Sequence, residues 1–206
     1  MNQEEKNKMS RKRILQASLT EFGSQDYASV TINQLCKKHH LSKGLLFHYY
    51  RNKDELFLLC VQKLFLDLSH YLEKNFEPQS ASMESNLQAY IQKRSAFFGE
   101  NQLYARIFYT VIFNPPTHLI PQIHKMRAPI IETNRKFWQH ILSELDLKSN
   151  VNQEEAIDLI MNLEDFIHMR FQKEYIDLTN QTADHINQYA DEYINLFNML
   201  FYGIVE

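Results

Sequence analysis

The chain has 206 residues, 44% of them hydrophobic and 13% aromatic, enough to build a substantial core. Glycine and proline together number nine, and no run of alternating Val, Ile and Thr is present, which argues against a sheet-rich fold and for long helices on short connections. The net charge of −3 hides an asymmetry: residues 1–53 hold ten Lys/Arg against four acids, residues 54–206 twelve against twenty-one, so a basic head that fits a polyanion sits on an acidic body.

In chain order, the first helix is expected over about Ser10 to Phe22. Leu15, Leu19 and Phe22 recur at helical spacing, and Gly23 stands where a C-terminal helix glycine belongs. Thr31 and Gln34 read as a capping box opening a short second helix that ends near His39. Ile32, Leu35 and Cys36 form its inner face. After the turn at His39-His40-Leu41, Ser42 caps a third helix through about Tyr50. Asn52 and Glu55 open a fourth. Two short helices on a tight turn, with a third packed before them, make a helix-turn-helix. Longer helices follow at about 54–75, 83–99, 102–113, 129–146, 153–176 and 182–203, with a short or irregular piece at 117–126. Asn152 with Glu155, and Thr182, mark late helix starts.

At 100° per residue, Leu46 and Tyr50 turn toward the helix-turn-helix core, while Gly44, Leu45, His48 and Tyr49 turn away from it. A glycine lets a helix backbone approach DNA closely, Leu45 suits a thymine methyl, and Lys43 can reach a guanine or a phosphate. Thr31 and Ser42 at helix starts, with His48, Tyr49 and Lys53, read as donors to phosphate oxygens, which fix register without reading sequence.

The stretch from Thr31-Ile-Asn-Gln-Leu-Cys to Leu41-Ser-Lys-Gly-Leu-Leu-Phe-His-Tyr-Tyr-Arg-Asn-Lys-Asp-Glu-Leu56 resembles the helix-turn-helix signature of the TetR (tetracycline repressor-like) family. The detailed resemblance covers about Arg11 to Leu56. It implies that Lys43, Gly44 and Leu45 face bases while Thr31, Ser42, His48, Tyr49 and Lys53 hold the backbone. Where the family usually has Ala-Gly in the turn, this chain has His39-His40. A histidine tolerates the positive φ of that glycine at a cost. The paired histidines also admit a DNA-contacting, metal-binding or pH-sensing reading.

The expected fold is therefore all-α: a three-helix head over residues 1–53 and a helical effector-binding and dimerisation domain over 54–206. Apolar residues cover two faces of both late helices, which gives each two partners. Leu159 and Phe166, with Ile186, Tyr193 and Phe197, are the expected homodimer face. The body is rich in aromatics, and Tyr104, Phe108 and Trp138, with Glu164 and His168 one helical turn apart, are the expected lining of an apolar or aromatic small-molecule site. The expected function is repression from a palindromic operator, relieved by that effector. The alternative keeps the head and gives the body a protein partner instead.

An enzyme is not expected. Asp165 and His168 make one carboxylate–histidine pair where a di-metal bundle needs two, and no nucleophile elbow, phosphate loop or cysteine–histidine metal spacing is present; no cofactor follows. Met1 to Arg13 is polar and charged, unlike a secretory leader, and no apolar stretch reaches the roughly 20 residues of a membrane span. Cys36 and Cys60 read as buried thiols, consistent with a cytoplasmic home.

Overall fold

The computed structural model describes residues 2–78, 82–174 and 193–200, and of residues 168 and 170–174 the backbone only. It is helical, with no β-strand among the described residues: α1 Gln3–Ser24, α2 Ile32–Lys38, α3 Lys43–Tyr49, α4 Lys53–Asn75, α5 Met83–Glu100, α6 Gln102–Phe113, α7 Ile120–Met126, α8 Ala128–Ser143 and α9 Gln153–Glu174. Single 3₁₀ turns form at Tyr27–Ser29 and Thr117–Leu119. Residues 193–200 are helical; Thr182 and Ile186 lie outside the described residues. No helix among the described residues is long and apolar enough to cross a membrane.

The starts of these helices follow from local chemistry. Thr31, Ser42, Asn52 and Asn152 each accept a backbone N–H three residues on, satisfying donors that the helix leaves orphaned. At Thr31 the second arm of the expected capping box is not made, because the Thr31 hydroxyl donates to Gln34 Oε1 at 2.9 Å instead. The first helix starts a full two turns earlier than its apolar periodicity indicates. Asn2 and Glu5 form a complete capping box, with both arms at 2.8 Å.

The chain divides into two compact units, the first of Met1–Asp67 with Phe98–Ala128, the second of Leu68–Phe97 with Pro129–Glu206. In the first, α1 packs along α6, and α2 and α3 pack on each other and on α1. Ile14, Phe22, Leu35, Leu46, Leu56 and Phe57 are buried at its centre. Phe22, Tyr27 and Phe57 close the head with ring centroids 5.0–6.1 Å apart. A fully buried ring of this kind contributes about 2–3 kcal/mol.

Gly23 does not end α1. No glycine among the described residues has positive φ, and the helix runs on to Ser24 with Gln25 as an extended C-cap. Its smallness serves packing instead. A Cβ at Gly23 would lie 2.7 Å from Leu103 Cβ and 2.8 Å from the Leu103 backbone, so α6 reaches α1 only because that atom is missing.

In the second unit Leu72, Leu87, Phe97, Phe137, Trp138, Ile141, Ile157, Ile160 and Ile167 are buried, joined by Tyr193 and Phe197. Tyr90 stacks on Phe137 at 4.3 Å, and Trp138 on Phe197 at 5.1 Å.

Candidate nucleic-acid interface

Leu46 anchors α3, fully buried in the head. Lys43, Gly44, Phe47 and His48 are exposed and Leu45 is half-buried. A Cβ on Gly44 would meet no atom within 4 Å. Phe47, 50% exposed, is the residue that the sequence reading left out of this surface. It falls only 40° from Lys43 around the helix, so the angle could have found it.

Thr31 and Ser42 are exposed, their hydroxyls engaged as caps. Tyr49 is half-buried: its hydroxyl donates to Asn7 Oδ1 at 2.9 Å, the Arg11 guanidinium lies 5.3 Å from its ring, and the His48 ring meets it edge-on at 4.7 Å. Lys53 turns back into the head, donating to the Tyr27 carbonyl at 3.0 Å with its ammonium 4.2 Å over the Tyr27 ring. Tyr27 also donates to Asp54, whose other oxygen meets His118 Nε2 at 3.1 Å. Burial and the Asp54 carboxylate together push the Tyr27 hydroxyl pKa far up.

The turn resolves the two histidines. His40 has φ 52°, the left-handed conformation that its glycine counterpart would adopt freely; its carbonyl accepts from Arg13 at 3.3 Å. His39 is half-buried, its Nε2 2.7 Å from Glu21 Oε1. Lys38 reaches the same oxygen at 2.8 Å, and Gln25 donates to the other at 2.9 Å. Burial alone raises the pKa of the Glu21 carboxyl, but hydrogen bonds from Lys38 and His39, with their charges, outweigh it and leave the pKa below its ordinary value. Beside this cluster is an open depression of about 480 Å³ lined by Glu21, Gln25, Gln34, Lys37 and Lys38. Cys36 and Cys60 are free, buried thiols whose pKa burial raises.

The residues expected to line an effector site fall in both units. In the first unit, Tyr104 donates to Asp67 at 2.5 Å, and Phe108 packs against Phe65 and Phe98. In the second, Trp138 and Glu164 come together. Glu164 is 4% exposed, and its carboxylate accepts from Trp138 Nε1 at 3.2 Å, Tyr193 Oη at 2.6 Å and Asn134 Nδ2 at 3.0 Å. Asn134 in turn accepts from Tyr90 at 2.5 Å. The His168 side chain lies outside the described residues. Of the residues expected at a dimer face, Leu159 and Phe166 are about half exposed on one stripe of α9 with Met169. Tyr193 and Phe197 are buried against Glu164 and Trp138 of their own chain, and Ile186 is outside the described residues.

Residues 14–60 match the family model of bacterial regulatory proteins, tetR family. Over 94 residues the chain is 28% identical to a Bacillus subtilis protein named as an uncharacterized HTH-type transcriptional regulator, YxaF, covering 45% of this chain and 49% of that one. Over 57 residues it is 35% identical to the HTH-type transcriptional repressor SCO4008 of Streptomyces coelicolor, covering 28% and 30%. The match thus spans about half the length of the first relative and less of the second. The regulatory protein TetR from Rhodobacter sphaeroides superposes with a TM-score of 0.57 at 13% identity, over 91% of this chain and 98% of that one; this is a likeness of fold. Residues 14–60 thus carry the helix-turn-helix of the tetR family of bacterial regulatory proteins, on a chain whose fold is that of a tetR regulatory protein.

Proposed function

We propose that the chain is a sequence-specific, DNA-binding repressor, dimeric on a palindromic operator and released by a small-molecule effector. The observation that carries this reading is the outer surface of α3. Leu46 is fully buried beneath it, and Lys43, Gly44, Phe47 and His48 stand exposed, with no atom of the described residues within 4 Å of a Cβ on Gly44. Residues 1–53 do the reading. Lys43, Gly44 and Leu45 face base edges; Thr31, Ser42, His48 and, once swung away from Tyr27, Lys53 hold phosphates, with Tyr49 donating to Asn7 beside them. The name of the Streptomyces relative supports repression as the direction of control.

Residues 54–206 supply the dimer and the response. Leu159, Phe166 and Met169 form an exposed apolar stripe suited to a second copy across a two-fold axis, and Tyr193 and Phe197 brace the neighbouring helical stretch from within. Two heads then meet half-sites one helical turn, or a multiple, apart. The effector is anchored at Trp138 and Glu164, where a hydrogen-bond donor on an apolar or aromatic molecule replaces one of the chain's own donors. By linkage, such a ligand weakens DNA binding by the factor by which DNA weakens its own binding.

Gly44→Gln tests the reading cleanly. The added Cβ meets nothing within 4 Å and Gly44 is exposed, so the melting temperature holds or rises while DNA affinity falls. Against duplexes enriched from a random-sequence pool, the wild type is expected to bind at about 10⁻⁸ M or tighter. Gly44→Gln and Lys43→Ala each lose about tenfold or more. Equal, weak binding by all three proteins to any duplex refutes it.

A further inference from the structure

The stretch of the chain that matches the family model begins at residue 14, yet α1 begins at Gln3, closed by a complete capping box. These first turns carry Lys6, Lys8, Arg11, Lys12 and Arg13 against Glu4 and Glu5, and all five cations are exposed. Glu5 is committed to the cap. The ion pairs formed among the described residues involve other cations than Lys8, Arg11 and Lys12.

Two contacts fix this basic segment to the reading helix. Tyr49, the last residue of α3, donates to Asn7 at 2.9 Å, and Arg11 lies 5.3 Å from the same ring. At 100° per residue, Arg11 stands 40° from Asn7, Lys8 100° and Lys12 140°. The cations therefore form a flank that starts at the Tyr49 contact and turns outward to solvent. That flank continues the exposed surface of α3 beyond His48. Lys8 and Lys12 are about 6 Å apart along the helix axis, a span that can serve two phosphates of one strand, which follow one another with a rise of roughly 3.4 Å along the duplex axis.

We propose that the first three turns of α1 are a second DNA-contacting element: Lys8, Arg11 and Lys12 bind phosphates of the duplex flanking each half-site, and Asn7 positions them through Tyr49. This rests on the reading of α3 as the DNA-facing helix. Continuity with that surface favours duplex DNA over an acidic protein as the occupant.

The test uses the full chain and duplexes carrying the sequence that the wild type enriches from a random pool, flanked by 2 or 10 base pairs, titrated across 50–200 mM KCl. The wild type is expected to bind the long duplex about tenfold tighter than the short one. The Lys8→Gln, Lys12→Gln double variant binds both with the short-duplex affinity. Its plot of log affinity against log salt is shallower by about 3.6, from about 0.9 per phosphate contact and two contacts in each of two protomers. Asn7→Ala, which keeps every cation, loses part of the same length dependence. Gly44→Gln fails on both duplexes. An unchanged slope and length dependence in the double variant, with Gly44→Gln still failing, overturns the α1 element alone and leaves its charges to an acidic protein surface. Equal loss on both duplexes also overturns it, by placing the lysines under the half-site instead of its flank. Should the wild type enrich no sequence and Gly44→Gln bind as well as it does, the α3 reading fails and takes this one with it.

Discussion

Replacing Gly23 with alanine sets two ordinary rules against each other. An alanine within a helix is worth up to about 1 kcal/mol more than a glycine, so local propensity alone predicts a stabilised protein. The new Cβ, however, would lie 2.7 Å from Leu103 Cβ and 2.8 Å from both Leu103 Cα and its carbonyl oxygen, where carbon atoms normally rest at about 3.5–4.0 Å. The obstruction is backbone, which cannot swing aside as a side chain does. Relief requires α6 to retreat from α1 by most of an ångström, where Phe22 beside Gly23 and Ile107 on α6 are both buried. Overpacking of this kind costs about 1–3 kcal/mol, so we expect Gly23→Ala to be destabilising by about 1–2 kcal/mol. Gly99→Ala is the matched control, since its Cβ meets nothing within 4 Å and propensity acts unopposed. Urea unfolding followed by far-UV circular dichroism should place the midpoint of Gly23→Ala below the wild type and that of Gly99→Ala at or above it, with unchanged slopes. A higher midpoint for Gly23→Ala would show that the α1–α6 contact yields freely and that the steric reasoning is wrong.

Three further substitutions test the head. His40→Gly releases the left-handed strain at φ 52° and should raise stability by about 1 kcal/mol, read as a rise in melting temperature. Ser18 is fully buried and its hydroxyl has no partner among the described residues, so Ser18→Ala should stabilise by about 1 kcal/mol in the same denaturation assay. Glu21 has a pKa below the ordinary 4.5, so its stabilising contribution is fully present above that value and is lost as the pH falls through the folded-state pKa. Glu21→Gln should therefore be less stable than the wild type at pH 7, by about 1 kcal/mol given how exposed Lys38 is. The gap should close in melting curves taken progressively below pH 4.5.

What could be read from the sequence was what neighbours along the chain decide. Thr31, Ser42 and Asn52 cap helices because each lies three residues before the N–H it accepts, and the outward turn of Lys43, Gly44 and His48 follows from angle alone. The start of α1 was missed because its first turns hold few apolar residues to set a period, although Asn2 and Glu5 carry the same capping pattern as the other helices. Gly23 was misread because its reason for being glycine sits 80 residues away, at Leu103. Glu164 stood out as a carboxylate in an apolar helix, but nothing local names Asn134, Trp138 and Tyr193 as its partners. Apolar residues on two sides of the two late helices likewise did not say which side meets the chain's own core. The structure turns Tyr193 and Phe197 to Trp138 and leaves Leu159 and Phe166 on the surface.

The bonding around Glu164 limits how this part of the molecule can move. Interlocked apolar side chains resist sliding between helices by their shape, but dispersion ties no one of them to a particular partner. Here one carboxylate oxygen is shared by α8 and residue 193 and the other is held by Asn134, and a buried acceptor that loses its donor costs about 1–3 kcal/mol or more. Small displacements are thereby penalised from the outset, and only a shift that finds a new complete set of donors is tolerated. A segment built in this way steps between discrete registers instead of drifting through a continuum.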